Sequence, residues 1–228
     1  MKVVVKISGH LISNKDNPVN VDYLKRLANV ITEAASKHRF GLVVGGGYLS
    51  RIYISACRSL GFSNSIIDLV GIYSTRINAT ILQHVLGDSA IKVVPQSIDE
   101  AIRFFELGKI LVMGGLQPGQ STTAVAALLA EGIGADILII TTDVDGVYTS
   151  DPKTDPKARK LNEVSINWIY NKFIREEGLP GTYKLLDHLT LMILRRSKIP
   201  TYIINGQPPI NILKVIEGEH IGTKVIYD

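Results

Sequence analysis

The sequence predicts an α/β protein, a three-layer α/β/α sandwich around a mostly parallel central sheet. Three observations predict it. Short apolar runs alternate with stretches of helical period almost throughout the 228 residues, which implies parallel strands covered on both faces by the intervening helices. Two of the apolar runs end in glycines and lead into a helix, at Gly45-Gly46-Gly47 and at Gly114-Gly115, and a third ends at Ser8-Gly9. No Ser/Gly linker, internal repeat or low-complexity segment divides the chain. One domain with two lobes is therefore expected, residues 1–117 and 118–228, with the boundary near Pro118.

The elements follow in order. Val3-Val4-Val5-Lys6-Ile7 reads as the first strand. Asp22 is positioned to cap a helix over Tyr23 to Lys37, whose Leu24, Leu27 and Ile31 recur at helical spacing. Phe40 to Val44 is a second buried strand, followed by a helix from Tyr48 to Leu60. Ile66 to Leu86 reads as one long helix and Ile91 to Pro95 as a strand. Ser97 caps a helix to Leu107, with Asp99 and Glu100 where the dipole favours them. Lys109 to Met113 is a strand, and Thr122 to Ile133 is a helix apolar all round, hence buried.

Ile137 to Ile140 is a further buried strand. Lys153 to Lys160 reads as a polar surface loop, Ser165 or Asn167 as the start of a helix to Glu177 with Trp168 in the core, and Gly178 to Lys184 as a turn. Asp187 precedes a helix to Lys198 whose Arg195-Arg196-Ser197-Lys198 end is a solvated terminus. Pro200 to Gly206 is a strand and turn, a short helix follows Pro208-Pro209, and Gly222 to Tyr227 closes as a strand.

The chemistry gathers at strand ends, where open α/β sheets bind ligands. The stretch Thr141 to Pro152 follows a buried strand with hydroxyls, carboxylates, a Gly turn, an aromatic and Asp-Pro. Tyr148 offers a ring face, and Asp143 and Asp151 offer acceptors for ribose hydroxyls or amine protons, which suits a nucleoside. Strand, glycines and helix start at Gly45-Gly46-Gly47 place backbone N–H groups and a helix dipole at an anion. Arg51, about a turn into that helix, reads either as a bidentate phosphate contact or as a solvated arginine.

Lys6 inside the first strand reads either as an edge lysine reaching solvent or as a cation aimed at a phosphate beside Gly9. Asp68 and Arg76 offer a sugar-hydroxyl acceptor and a phosphate partner, or a surface ion-pair role. Gly114, Gly119 and Ser121 match the spacing of a phosphate-binding P-loop. Gln120 stands where that motif needs lysine, so a P-loop ATPase is excluded while an anion at the helix start, with Ser121, Thr122 and Thr123 as hydroxyl donors, remains.

Composition bounds the partners. With 46% hydrophobic and 20% charged residues the chain can bury a sizeable core. No apolar run reaches the roughly 18 residues of a membrane span, and the N-terminus lacks the pattern of a signal peptide. Cys57 is the only cysteine, which fits a reducing cytoplasm. A net charge of +4 favours anionic ligands, but Lys and Arg are spread along the chain, so neither nucleic acid nor a membrane is an expected partner.

Together, Lys6-Ile7-Ser8-Gly9, Val44-Gly45-Gly46-Gly47 with Arg51, the Gly114 to Thr123 loop and Asp145-Gly146-Val147-Tyr148-Thr149-Ser150-Asp151-Pro152 resemble the amino acid kinase superfamily, and within it the archaeal uridylate kinases. The resemblance covers essentially the whole chain. It implies transfer of the ATP γ-phosphoryl group to UMP with Mg2+, an eight-strand-type sandwich, a homohexamer and feedback by UTP. It implies that Lys6, Gly9, His10, Gly47 and Arg51 line the ATP phosphates, that Thr142, Asp143, Tyr148 and Asp151 bind the nucleoside of ATP, and that Asp187 orients Lys6. Gly46, Asp68, Arg76 and Leu116-Gln117-Pro118-Gly119-Gln120-Ser121-Thr122 would enclose UMP. Many relatives carry aspartate at the position of Thr123, and many bacterial ones lysine at that of Asp143, so no residue is assigned to metal.

Overall fold

The computed structural model of the chain describes residues 1–174 and 186–227. The Gly178 to Lys184 turn and the end of the helix expected to reach Glu177 lie outside the described residues.

Nine strands and nine α-helices are formed among the described residues. The strands are β1 (Lys2–Ile7), β2 (Arg39–Val44), β3 (Leu111–Met113), β4 (Ile137–Thr142), β5 (Val147–Tyr148), β6 (Lys160–Leu161), β7 (Glu163–Ser165), β8 (Thr201–Asn205) and β9 (Thr223–Ile226). The helices are α1 (Gly9–Ile12), α2 (Val21–Ala34), α3 (Gly47–Ser59), α4 (Asn64–Val85), α5 (Ile98–Phe105), α6 (Thr122–Ile133), α7 (Ile166–Ile174), α8 (His188–Ser197) and α9 (Asn211–Ile216).

Seven strands form one sheet in the order β3-β2-β1-β4-β8-β9-β7, and β5 and β6 pair as a separate hairpin. The first five strands of that order are parallel, while β9 runs antiparallel to β8. The described sheet thus holds seven strands where the resemblance implied eight.

The pleat distributes the apolar side chains to two cores. Val3, Val5 and Ile7 of β1 face a core with α2, α4 and α9, while Val4 faces another with α5, α6 and α8. Period-2 alternation buried on both sides is what a central parallel strand requires. All three layers of the expected sandwich are therefore present. The sheet continues without a break through the β1–β4 pair, where strands from before and after Pro118 meet.

Several expectations change in detail. The cap of α2 is Asn20, whose side chain accepts from the Tyr23 N–H at 3.1 Å, and Asp22 sits in the first turn instead. Residues 91–95 do not form a strand; that edge has a single bridge between Ala90 and Ile110. Trp168 packs against the core as expected but is only partly buried, with Lys172 Nζ 5.1 Å from its ring centroid. Arg196 is not simply solvated, because its Nε donates to Glu131 of α6 at 2.8 Å.

Candidate functional site

The parallel strands bring their carboxyl ends to one edge of the sheet, and the glycine turns meet there. Ser8-Gly9 leaves β1 beside Gly45-Gly46-Gly47 leaving β2, because the two strands pair in register from Lys2–Arg39 to Ile7–Val44. The seam is backbone against backbone. A Cβ on Gly9 would come within 2.2 Å of the Gly47 nitrogen, and one on Gly45 within 2.6 Å of the Gly9 nitrogen. Gly47 also holds a φ of +69°, which glycine adopts at little cost.

Side chains from below hold this seam in shape. Asn78 of α4 donates to the carbonyls of Gly45 and Gly46 at 2.9 and 3.1 Å. Those carbonyls are thereby turned toward α4. The Ser13 carbonyl accepts from Tyr48 N–H at 2.9 Å and its hydroxyl from Leu49 N–H at 3.2 Å. Two first-turn amides of α3 are thus already taken, so the α3 terminus is less open to an anion than the glycine pattern implied. Among the described residues the amides of Gly9, His10, Gly46 and Gly47 have no acceptor. Asn78 and Ser13 were not identified in the sequence as site residues; their only sequence signal is a polar residue placed within an otherwise apolar pattern.

Two cavities flank the seam. One, of about 410 Å³, lies beyond β2 and β3 and is lined by Gly46, Ser50, Asp68, Thr75, Gly115, Gly119, Gln120, Ser121 and Thr122 among others. Six of the ten residues implied to enclose UMP line it, namely Gly46, Asp68, Gly119, Gln120, Ser121 and Thr122. Asp68 Oδ2 accepts from the Gly119 N–H at 2.8 Å, which ties α4 to the 114–121 loop. Thr75 Oγ1 accepts from Gly115 N–H at 2.7 Å and pins the other end of that loop. Gln120 Oε1 is buried without a partner at the same wall.

Arg76 does not line this cavity. Its guanidinium donates to the carbonyls of Gly115 and Leu116 at 3.2 and 3.3 Å and to Gln96, so it braces the loop from behind. Leu116, Gln117 and Pro118 belong to the same loop without lining the cavity.

The second cavity, of about 340 Å³, lies beyond β1, β4 and β8 and is lined by His10, Leu11, Asn14, Asn20, Asp143, Asn205 and Gln207. Asp143 accepts from Lys153 Nζ at 2.6 Å, and His10 Nε2 lies 3.7 Å from the same carboxylate oxygen. Burial pushes the Asp143 carboxyl up, but the hydrogen bond and charge of Lys153, then His10, hold it below the ordinary value. Thr142 donates to Asp143 at 3.3 Å. Tyr148 sits on β5 opposite Lys160, and Asp151 accepts from Lys153 N–H at 2.9 Å to shape the turn; neither borders the cavity. Asn205 reaches back to Asp145 at 2.9 Å and Lys153 to Asp143, contacts that no local spacing announces.

Lys6 lies on β1, flanked by Val43 of β2 and Ile140 of β4, so it stands between the strands whose ends border the two cavities. It is largely buried, and desolvation lowers its pKa from 10.5 to about 8, with Asp143 acting in the opposite direction. Among the described residues Lys6 has no ion pair within 4.0 Å. Asp187, implied to orient it, instead caps α8 through Thr190 N–H at 3.0 Å and accepts from the Thr190 and Ser121 hydroxyls. Burial alone would raise the Asp187 pKa, and those hydrogen bonds hold it below the ordinary value.

Ser121 in turn caps α6 by accepting from Ala124 N–H at 3.0 Å. One carboxylate therefore couples two helix N-termini, and the α6 terminus faces the 410 Å³ cavity through Ser121 and Thr122. Arg51 is exposed on α3 and lines neither cavity.

The arrangement can hold two anions side by side. The glycine seam has free amides, the α6 terminus opens on the 410 Å³ cavity, and the desolvated Lys6 stands on the strand between the two cavities while lining neither. Among the described residues no group of three or more His, Cys, Asp or Glu side chains could hold a metal ion. No helix among them is long and apolar enough to cross a membrane.

Comparison with known proteins agrees with the fold. The model of the amino acid kinase family matches residues 1–205. The uridylate kinase of Hyperthermus butylicus is 42% identical over 98% of this chain and 97% of its own. The crystal structure of uridylate kinase from Archaeoglobus fulgidus superposes with a TM-score of 0.87 at 40% identity, covering 99% of this chain and 100% of that one. The UMP kinase of Bacillus anthracis, at 23% identity, shares the fold with a TM-score of 0.81.

Proposed function

The chain belongs to the amino acid kinase family, and on that premise we propose that it is a nucleoside monophosphate kinase that transfers the γ-phosphoryl group of ATP to UMP, giving UDP and ADP. The observation that carries the reading is the pair of cavities on either side of the Gly9–Gly47 seam, with Lys6 on the strand between them. The 410 Å³ cavity receives UMP, with its phosphate toward the α6 terminus and its ribose toward Asp68. The His10–Asp143 side receives ATP. The lobes expected at 1–117 for the acceptor and 118–228 for ATP share both cavities: His10, Leu11, Asn14 and Asn20 of the first lobe line the ATP side with Asp143, Asn205 and Gln207 of the second, and Gly119 to Thr122 of the second close the acceptor side.

No catalytic base is needed. The second pKa of a phosphate monoester is about 6, so the attacking oxygen of UMP is already anionic at neutral pH. The difficulty is bringing two polyanions together, and positioning with charge neutralisation supplies most of the catalysis. Lys6 is built for that. Its amine is desolvated by burial, so a phosphate anion restores there much of the charge stabilisation that burial removes. Asp187 acts at one remove, through Ser121, by setting the α6 terminus.

Among the described residues no protein cage for Mg2+ is formed: Thr123 is a buried hydroxyl and Asp143 is engaged by Lys153. Mg2+ carried by the nucleotide phosphates would supply counter-charge there, and no residue of this chain is assigned to it. We place the protein in the cytoplasm, in pyrimidine nucleotide synthesis, with UTP as feedback inhibitor. We assign it a homohexameric state; Ile52, Tyr53, Leu60, Phe62, Ile66, Tyr73 and Ile77 leave an exposed apolar face on and beside α3 and α4 that supports association of copies.

The test is ADP release by purified protein with ATP, Mg2+ and UMP, CMP, dUMP or AMP in turn. UMP is expected to support the fastest release. No ADP with any of the four overturns the reading.

A further inference from the structure

Asp143 is an unusual neighbour for a triphosphate. Its carboxylate borders the cavity assigned to ATP, where an unpaired negative charge would repel the ligand. In the structure it is engaged by nitrogen donors instead, one of them a lysine ammonium. Lys153 Nζ is 2.6 Å from Oδ2, His10 Nε2 is 3.7 Å from the same oxygen, and the Lys6 amine feels the same charge. The carboxylate thus holds a lysine ammonium at the edge of the cavity, where a polyphosphate would take it up.

Lys153 comes from outside the strand ends, on the loop that joins β5 to β6. That loop has its own framework. Asp151 accepts from the Lys153 N–H at 2.9 Å, Asp155 accepts from the Ser150 hydroxyl at 2.5 Å and from the Lys157 N–H at 2.8 Å, and Thr149 pairs with Arg159 across the loop. The backbone is thus shaped without the Lys153 side chain. That side chain is 59% exposed, against 28% for Asp143. Exposed ion pairs of this kind contribute little to stability and exchange readily. A multiply charged phosphate chain competes well against one carboxylate for the same ammonium.

We propose that Lys153 is a further positioning residue for the nucleotide triphosphate, a cation that Asp143 holds beside the phosphate path and yields to the incoming polyphosphate. The inference rests on the kinase reading above. It assigns the β5–β6 loop a part in ATP capture, and it gives Asp143 the role of stand-in anion.

Calorimetric titration of the full chain with ATP and Mg2+, and separately with UMP, tests it on wild type, Lys153→Met and Lys153→Arg. Lys153→Met is expected to weaken ATP about tenfold, the loss of one charge-assisted contact, with UMP affinity and Tm unchanged. Lys153→Arg is expected to recover most of the affinity. In turnover, the KM for ATP rises while kcat holds. ATP affinity in Lys153→Met within about twofold of wild type overturns the inference, as does a fall in Tm that accompanies the loss, which would make the residue structural. A wild type that binds ATP but yields no UDP sinks the kinase reading and leaves the binding prediction to stand or fall on its own titrations. A wild type that binds no ATP overturns both.

Discussion

The glycine seam and the β5–β6 loop both face the same edge of the sheet, yet they are held in opposite ways. At the seam, backbone packs on backbone with no room for a methyl group, and Asn78 and Ser13 determine where its carbonyls and helix amides point. The loop is held by Asp-centred turns and an exposed ion pair. The seam is over-determined and therefore preorganised, which suits the reacting phosphates, where small displacements are costly. The loop can exchange partners, which suits a nucleotide that must enter and leave.

Breaking the seam has the largest expected effect. Gly9→Ala places a Cβ within 2.2 Å of the Gly47 nitrogen, where backbone must move. The expected loss is about 4 kcal/mol or outright failure to fold, read as urea midpoint or soluble yield. Wild-type stability in this variant would mean that the seam is not close-packed.

Next comes Lys6→Met, which separates stability from catalysis. Turnover is expected to fall by about 10²–10³ with the fold intact. Stability moves the other way. A lysine whose pKa falls from 10.5 to about 8 on folding opposes folding while it is charged. That penalty is full below pH about 8 and fades as pH rises toward 10.5. Lys6→Met is therefore expected to be more stable than wild type at pH 7 by about 3 kcal/mol, with the gap closing by pH 10. For the same reason, wild-type kcat/KM for ATP should decline as pH rises through about 8, and the variant's residual rate should lack that limb.

Asp187→Ala removes the cap of α8 and the tie to Ser121, for an expected loss of about 2 kcal/mol. Because the Asp187 pKa is lowered on folding, its contribution is present above the ordinary carboxylate range and disappears as pH falls through the lowered value. Wild type and variant should therefore converge in acid; a constant gap down to pH 2 would contradict the assignment. The smallest effect is expected from Asp68→Ala. Loosening Gly119 should raise the KM for UMP about fivefold, with the KM for ATP unchanged.

The same contrast explains what was legible in the sequence. Strands ending in glycine announce themselves, since apolar runs and Gly turns are local signals, and the β1, β2 and β4 ends lie where those signals put them. The Ile91 to Pro95 run failed because Pro95 and the edge position deny it a ladder, leaving a single bridge at Ala90. The β5–β6 hairpin and β7 were missed because strands of two or three residues carry no period. Side-chain partners were the least legible. The sequence offered Arg76 to a phosphate and the family resemblance implied Asp187 for Lys6, but tertiary packing gave Arg76 the loop carbonyls and Asp187 the Ser121 and Thr190 hydroxyls. Lys153 looked like surface because its target lies ten residues back, across a turn.

The central claim is adjacency: two anion sites that share the Gly9–Gly47 seam and the lysine between them. Titration with a single molecule that joins adenosine and uridine through a polyphosphate chain tests it most directly. If the sites adjoin, the linked ligand binds at least about 10²-fold more tightly than ATP or UMP alone, because the second contact becomes intramolecular, and Lys6→Met removes much of that gain. A linked ligand that binds no better than ATP, with UMP still able to bind beside it, would place the two sites apart and contradict the account.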